Sequence, residues 1–226
     1  MQLHIQPPVG TLIRGKPEAT VAQAREWARS RNAHARFLEI APVYWRYGAL
    51  TGIRPEVLYA QSANETAYGR YGGVVLPEQN NWAGIKVKAP QGNRPQDHES
   101  FATPDDGVRG HFNHISAYIG QEPIGKPHDR YWVVKEQPWA GSVKFVEELG
   151  GRWAPALDYG RGIVSGYLAS LLDTEEPPAS SPEPSPEPSP EPSPEPPGGE
   201  SGWSVPGIIA AIQWLLEKLK ELLGIK

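Results

Sequence analysis

The chain has 226 residues, 22 Lys+Arg against 26 Asp+Glu, and no cysteine. Disulfides, thiolate metal sites and cysteine nucleophiles are therefore excluded. The net charge of −4 conceals three unlike segments, with +2 over 1–173, −7 over 174–202 and +1 over 203–226. A first segment so close to neutral lacks the basic footprint of a duplex nucleic-acid binder. No run approaches 18 apolar residues, so no membrane span is expected. The opening "MQLHIQPPVG" lacks a basic stretch followed by an apolar one, so no signal peptide is expected there.

Residues 1–173 read as the folded domain. "ATVAQAREWARSRNAHARFLEIAPVYWRYGALTG" predicts two helices, with Pro42 near the start or a kink of the second and Gly52 ending the run. "RPEVLYAQSANETAYG" predicts a third, with Pro55 at the first helical position and Gly69 as a cap. Residues 70–104 are rich in Gly and Pro, and they predict loops with at most a small hairpin around "GGVVLP". Helices are expected again at "PDDGVRGHFNHISAYIG", with Thr103 or Asp105 as cap, at "WAGSVKFVEELGG" and at "YGRGIVSGYLASLLD". Helices around a small β/loop insert make an α+β class.

Composition changes sharply after Asp173. Residues 177–197 read "PPASSPEPSPEPSPEPSPEPP", with four copies of Ser-Pro-Glu-Pro at 181–196. Alternating proline removes backbone donors and fixes φ, so 174–202 is expected to be an extended spacer, whose Pro-rich part, 177–197, reaches about 65 Å. Residues 203–226 then predict an amphipathic helix. Ile208, Ile209, Ile212, Leu215, Leu216, Leu219, Leu222 and Leu223 share one arc, with Glu217, Lys218, Lys220 and Glu221 opposite. Self-association or contact with an envelope surface through 208–223 is the expected use of that arc.

The chemistry concentrates in "YAQSANETAYG", residues 59–69. Glu65 falls near the C-terminal end of its helix, where the helix dipole disfavours a negative charge. Its neighbours on that face are Gln61, Ser62 and Gly69, so no adjacent base pairs with it. Partial burial at such a place raises a carboxyl pKa and suits a general acid.

This stretch resembles the Q-(A/S)-x-x-E-(T/S)-x-x-G helix of the peptidoglycan β-N-acetylglucosaminidases of glycoside hydrolase family 73. The likeness continues through "RYGGVVLPEQNNWAGIK", "SFATPDDGVRGHFNHISAY" and "LGGRWAPALDYG", over about residues 40–165. It implies a lysozyme-like fold, cleavage of the glycan strand after N-acetylglucosamine, no cofactor, and Glu65 at the family's general-acid position. A carboxylate in the insert would be the second group, with Glu99 and Asp97 in "PQDHESF" as candidates. Without one, the substrate's own 2-acetamido group would serve as nucleophile. Tyr159 matches a tyrosine that the family places near the cleft. Tyr68, Asn81 and Trp82, with Asp97, are expected at the sugar subsites.

Other constellations are weak. His98, His111 and His114 invite a zinc reading, but no cysteine or fixed His-Glu spacing supports it. Rival readings are a muramidase or lytic transglycosylase on the same fold, or a non-catalytic wall-binding or virion-structural module. A wall-lytic domain without an export signal further suggests a phage endolysin that gathers in the host cytoplasm before release to the cell wall.

Overall fold

A computed structural model describes residues 10–178; the spacer beyond Pro178 and the amphipathic helix lie outside the described residues. The first helix, α1 (Val21–Ser30), opens with a capping box. Thr20 Oγ1 accepts from the Gln23 amide at 3.1 Å while Gln23 Oε1 accepts from the Thr20 amide at 3.4 Å. α2 (Ala35–Thr51) ends at Gly52, whose φ of +69° is the left-handed stop that glycine takes without strain. Pro42 sits inside α2 rather than at its start. Its missing N–H orphans the Leu38 carbonyl, and Arg25 Nε of α1 donates to that oxygen at 2.9 Å. The proline thus becomes a staple between the first two helices.

α3 (Pro55–Thr66) is buried on nearly every side, from Pro55 to Ala63 and again at Thr66. A helix wrapped in this way has no amphipathic stripe, and its small residues Ala60, Ser62 and Ala63 let its neighbours approach closely. Phe37 of α2 stacks on Tyr59 of α3 with centroids 4.3 Å apart, and Tyr44 packs edge-on against the same ring. Truncating a buried aromatic such as Phe37 to alanine costs about 3–5 kcal/mol. The chain leaves α3 through three consecutive left-handed residues, Ala67, Tyr68 and Gly69. That sharp reversal is secured by Thr66 Oγ1, which accepts from the Gly69 amide at 2.9 Å.

The insert that follows is held by turns and single pairings, not by strands. Its β content is the isolated bridge Lys86↔His98, so the β part of the expected α+β pattern is slighter than foreseen. α4 (Pro104–Ile119) is capped by Thr103, whose Oγ1 accepts from the Asp106 amide at 3.1 Å. Gly107 on α4 faces the Asn80 carbonyl, and any Cβ there would overlap that oxygen. Glycine is what allows the insert to dock on the helix.

α5 (Asp129–Lys135) was not expected from the sequence. Conversely, "WAGSVKFVEELGG" yields only a tight turn at Val146–Leu149, because Glu148 bends back to accept from the Lys144 and Phe145 amides at 2.6 and 3.0 Å. The last helical stretch runs from α6 (Tyr159–Ile163) through one π-turn (Val164–Leu168) into α7 (Ala169–Leu172). The π-turn packs against α3, and α7 against α1. The described part is thus a mostly helical domain built around α3. Among the described residues no helix is long and apolar enough to cross a membrane.

Candidate active site

Glu65 occupies the last turn of α3, and each of its oxygens has a different environment. Oε1 accepts from the Tyr159 hydroxyl, a short contact, and from Trp153 Nε1 at 3.3 Å. Oε2 points at Gly84, where a Cβ would lie 3.0 Å away. Gly84 has a φ of +61°, so the "NNWAGIK" loop passes Glu65 in a conformation, and at a distance, that suit glycine. Burial raises the Glu65 carboxyl above the ordinary glutamate value, and the donors Tyr159, Trp153 and Asn64 offset part of that rise. Burial and the adjacent carboxylate also push the Tyr159 phenol well up, so it stays protonated and remains a donor.

Behind this pair runs a buried chain of hydrogen bonds. Gln61 Nε2 donates to the Tyr159 hydroxyl at 3.0 Å, and Gln61 Oε1 lies 3.1 Å from His111 Nε2. His111 Nδ1 lies 3.1 Å from the Tyr44 hydroxyl. An amide oxygen only accepts, so Nε2 must carry the imidazole proton and Nδ1 must accept from Tyr44. Burial pushes the His111 pKa down to about 3, which keeps the ring neutral and this tautomer intact. Every bond then points the same way, from Tyr44 through His111 and Gln61 to Tyr159 and Glu65.

Two cavities flank the acid. One, of about 320 Å³, is lined by Glu65, Tyr71, Val75, Gly84, Asn93 and His98. The other, of about 310 Å³, has Gly84 and Trp153 in its wall along with Lys86, Arg130, Trp139 and Arg152. Gly84 belongs to both; Glu65 itself lines only the first, and Trp153, which donates to it, lines the second.

The remaining expected site residues are placed elsewhere. Glu99 lines a separate cavity with Phe101, Arg109 and His128, and Glu65 is not in its wall. Burial and the Asp129 charge raise the Glu99 carboxyl. Asp97, expected as a second acid or a sugar contact, is instead a loop staple. Its carboxylate accepts from the Gln91 and Arg94 amides at 2.8 and 2.9 Å and from Arg94 Nε at 3.2 Å. Those donors hold its pKa down to about 2.

Asn81 is fully buried. Its Nδ2 donates to the Ile85 and Glu99 carbonyls at 2.8 and 3.0 Å, and its Oδ1 accepts from the Ile85 amide at 2.9 Å. Trp82 is 1% exposed, donates to the Pro104 carbonyl at 3.0 Å, and offers no ring face to a sugar. Tyr68 packs between Trp27 and Tyr167. The physical reason is common to Asn81, Trp82 and Asp97: an insert without strands needs its polar and aromatic side chains to hold its own backbone. The three histidines also diverge, with His98 on the Arg94 carbonyl and His114 against Trp153. Among the described residues no group of three suitable side chains is placed to hold a metal ion.

Trp153, Gly84 and the relay residues Gln61 and Tyr44 were not singled out from the sequence as site residues, and His111 was raised only in the weak zinc reading. Gln61 carried the clearest signal, one turn before Glu65 on the same face.

Glu65 is thus a buried glutamic acid without a basic partner, lining a cavity in a helical domain. Residues 41–164, more than half of the chain, match the glucosaminidase family, described as mannosyl-glycoprotein endo-beta-N-acetylglucosaminidase. The chain belongs to this family of glycoside hydrolases. It is also similar to an uncharacterized protein of Borreliella burgdorferi, 27% identical over 117 residues, which cover 51% of this chain and 53% of that protein. The chain thus spans about half the length of the curated relative it matches. No solved structure matches the chain significantly.

Proposed function

We propose that the protein hydrolyses the N-acetylglucosaminyl β-1,4 bond of peptidoglycan glycan strands, with Glu65 as general acid. The observation that carries this reading is the division of labour within one carboxyl group. Oε1 is held by Tyr159 and Trp153, while Oε2 faces Gly84, which belongs to both cavities. A proton on Oε2 is therefore presented to the glycosidic oxygen of a strand lying across the two cavities. As the bond breaks, the carboxylate that forms is already supplied with two donors, which stabilises the charge developing in the transition state.

The opposite face of the sugar has no protein carboxylate assigned to it. Asp97 is committed to its loop and Glu99 lines another cavity. Both placements support the substrate's 2-acetamido oxygen as internal nucleophile, with Glu65 then deprotonating the water that opens the resulting ring. The geometry of a single acid also fits a lytic transglycosylase, which would close the muramoyl ring instead. Analysis of the new chain ends separates the two. A reducing N-acetylglucosamine supports the hydrolase, and an anhydro-muramoyl end overturns it. In the same reading the protein acts as a phage-type lysin, stored in the host cytoplasm and released to the wall. Lysis of intact cells from within, dependent on a co-expressed membrane pore, tests that part.

A further inference from the structure

The two cavities flanking Glu65 differ in charge. The 320 Å³ cavity contains no Lys or Arg in its wall. The 310 Å³ cavity carries Lys86, Arg130 and Arg152 and no Asp or Glu. All three cations are half-buried, and among the described residues none has a carboxylate within 4.0 Å, although six other basic side chains do.

Their present partners are neutral. Lys86 Nζ donates to the Gly92 carbonyl at 2.9 Å and to Asn93 Oδ1 at 2.7 Å. Arg130 reaches the Lys88 carbonyl at 3.4 Å, and Arg152 reaches the Glu148 carbonyl at 3.3 Å. A guanidinium has five N–H donors, so both arginines keep most of theirs for a ligand. Arg152 also lies over the Trp139 ring at 5.7 Å, which leaves an aromatic ring beside a fixed positive charge. His114, buried in the same wall, has an Nδ1 without a partner among the described residues. Of the three, Arg152 feels a nearby carboxylate, that of Glu148, yet none is ion-paired, so the wall stays net positive and favours an anionic ligand.

We infer that this cavity is a subsite for the carboxylate-bearing residue of the strand, placed against the acid by Gly84 and Trp153. The inference rests on the hydrolase reading and adds to it a charge requirement on one side of the scissile bond. Arg130 and Arg152 hold the carboxylate in charge-assisted hydrogen bonds, and Trp139 supports the apolar face of the sugar or of its substituent. The uncharged partner sugar occupies the other cavity. The carboxylate has two sources, the lactyl group of a muramoyl residue stripped of peptide, or the peptide attached to it.

The test compares soluble strands bearing free carboxylates with the same strands after amidation, at low and high salt. The wild-type protein is expected to show a kcat/KM about tenfold or more higher on the free-carboxylate strands, the scale of one charged hydrogen bond. The difference should reside in KM and shrink with salt. Arg130→Gln and Arg130→Gln/Arg152→Gln should each collapse the preference toward one, with melting curves confirming the fold. Peptide-stripped strands that keep the preference identify the lactyl group, and strands that lose it identify the peptide.

Equal kcat/KM on free and amidated strands, or an undiminished preference in folded Arg130→Gln/Arg152→Gln, overturns the inference while leaving the hydrolase reading intact. Strand binding by the Glu65→Gln protein makes the same comparison without turnover. Absence of cleavage by the wild type therefore counts against the hydrolase reading alone.

Discussion

Glu65 has a back made of helices and a front made of loop. Behind it, α2, α3, α4 and α6 contribute Tyr44, Gln61, His111 and Tyr159, buried or nearly so and joined by hydrogen bonds of one polarity. In front, the insert contributes mainly backbone and absence: Gly84 has no side chain, and Asn81, Trp82 and Asp97 are turned inward to hold the loop. The back is buried and joined by hydrogen bonds throughout, so it fixes where Oε1 lies and keeps the Tyr159 hydroxyl donating to it. The front leaves Oε2 room for a substrate. Preorganised charge stabilisation requires the first condition and access requires the second.

The largest effect should come from the residue shared by both sides. Glu65→Gln is expected to lose at least about a hundredfold in rate, as read by release of reducing ends from purified walls. The same variant should be more stable than wild type at pH 7, with a higher melting temperature. The folded-state pKa of Glu65 is raised, so ionisation weakens the fold as pH rises through that value. The gap should accordingly close as pH falls below the ordinary glutamate value, and a pH series of melting curves checks this sign.

Breaking the front alone should spare stability more than rate. Gly84→Ala puts a methyl group against Oε2 at a left-handed φ, and a rate loss of about tenfold to a hundredfold is expected from the displaced acid. Tyr159→Phe breaks the back at its last link. It removes a donor that favours the carboxylate, so the Glu65 pKa rises further. The alkaline limb of kcat/KM, where the acid loses its proton, should then move to higher pH, with about a tenfold lower maximum. A limb that moves to lower pH contradicts this account of Tyr159.

His111→Leu should act mainly on folding, because it strands Gln61 Oε1 and the Tyr44 hydroxyl in the interior. A loss of about 2–4 kcal/mol is expected in chemical denaturation. The last effect is a slope. Burial pushes His111 and His128 down to about 3 and about 4, and His114 well below its ordinary value. Between the ordinary histidine pKa and those values the unfolded chain binds protons that the fold does not. Stability should thus fall with decreasing pH from about 6.5, by up to about 1.4 kcal/mol per pH unit for each histidine. Denaturation midpoints measured between pH 7 and 5 test this, and a flat profile argues against neutral buried histidines.

The same division explains what could be read in advance. Local rules located Pro55 at the start of α3, Thr103 or Asp105 as the cap of α4, where Thr103 takes the role, and Gly52 as the stop of α2, because each depends on a few adjacent residues. Glu65 stood out for a similar reason, lacking any base on its own helical face. Trp153 and Tyr159 approach it from 88 and 94 residues away, and no spacing reveals such contacts. Tyr159 was legible only through the family likeness, and Trp153 not at all. α5 escaped notice because its seven residues bury only Tyr131 and Val134, too few for a periodic signal. The inward turn of Trp82 was hidden for the opposite reason: an aromatic ring in a Gly-rich loop satisfies a binding pattern and a packing pattern equally well.

The central claim is that Glu65, held at Oε1 and open at Oε2, donates the proton that cleaves after N-acetylglucosamine. Mass spectrometry of peptidoglycan digested in parallel by wild type and Glu65→Gln addresses the bond and the residue together. Strands ending in a reducing N-acetylglucosamine are expected from the wild type and essentially none from the variant. Reducing or anhydro-muramoyl ends, or a variant that keeps more than about a tenth of the wild-type yield, would contradict it.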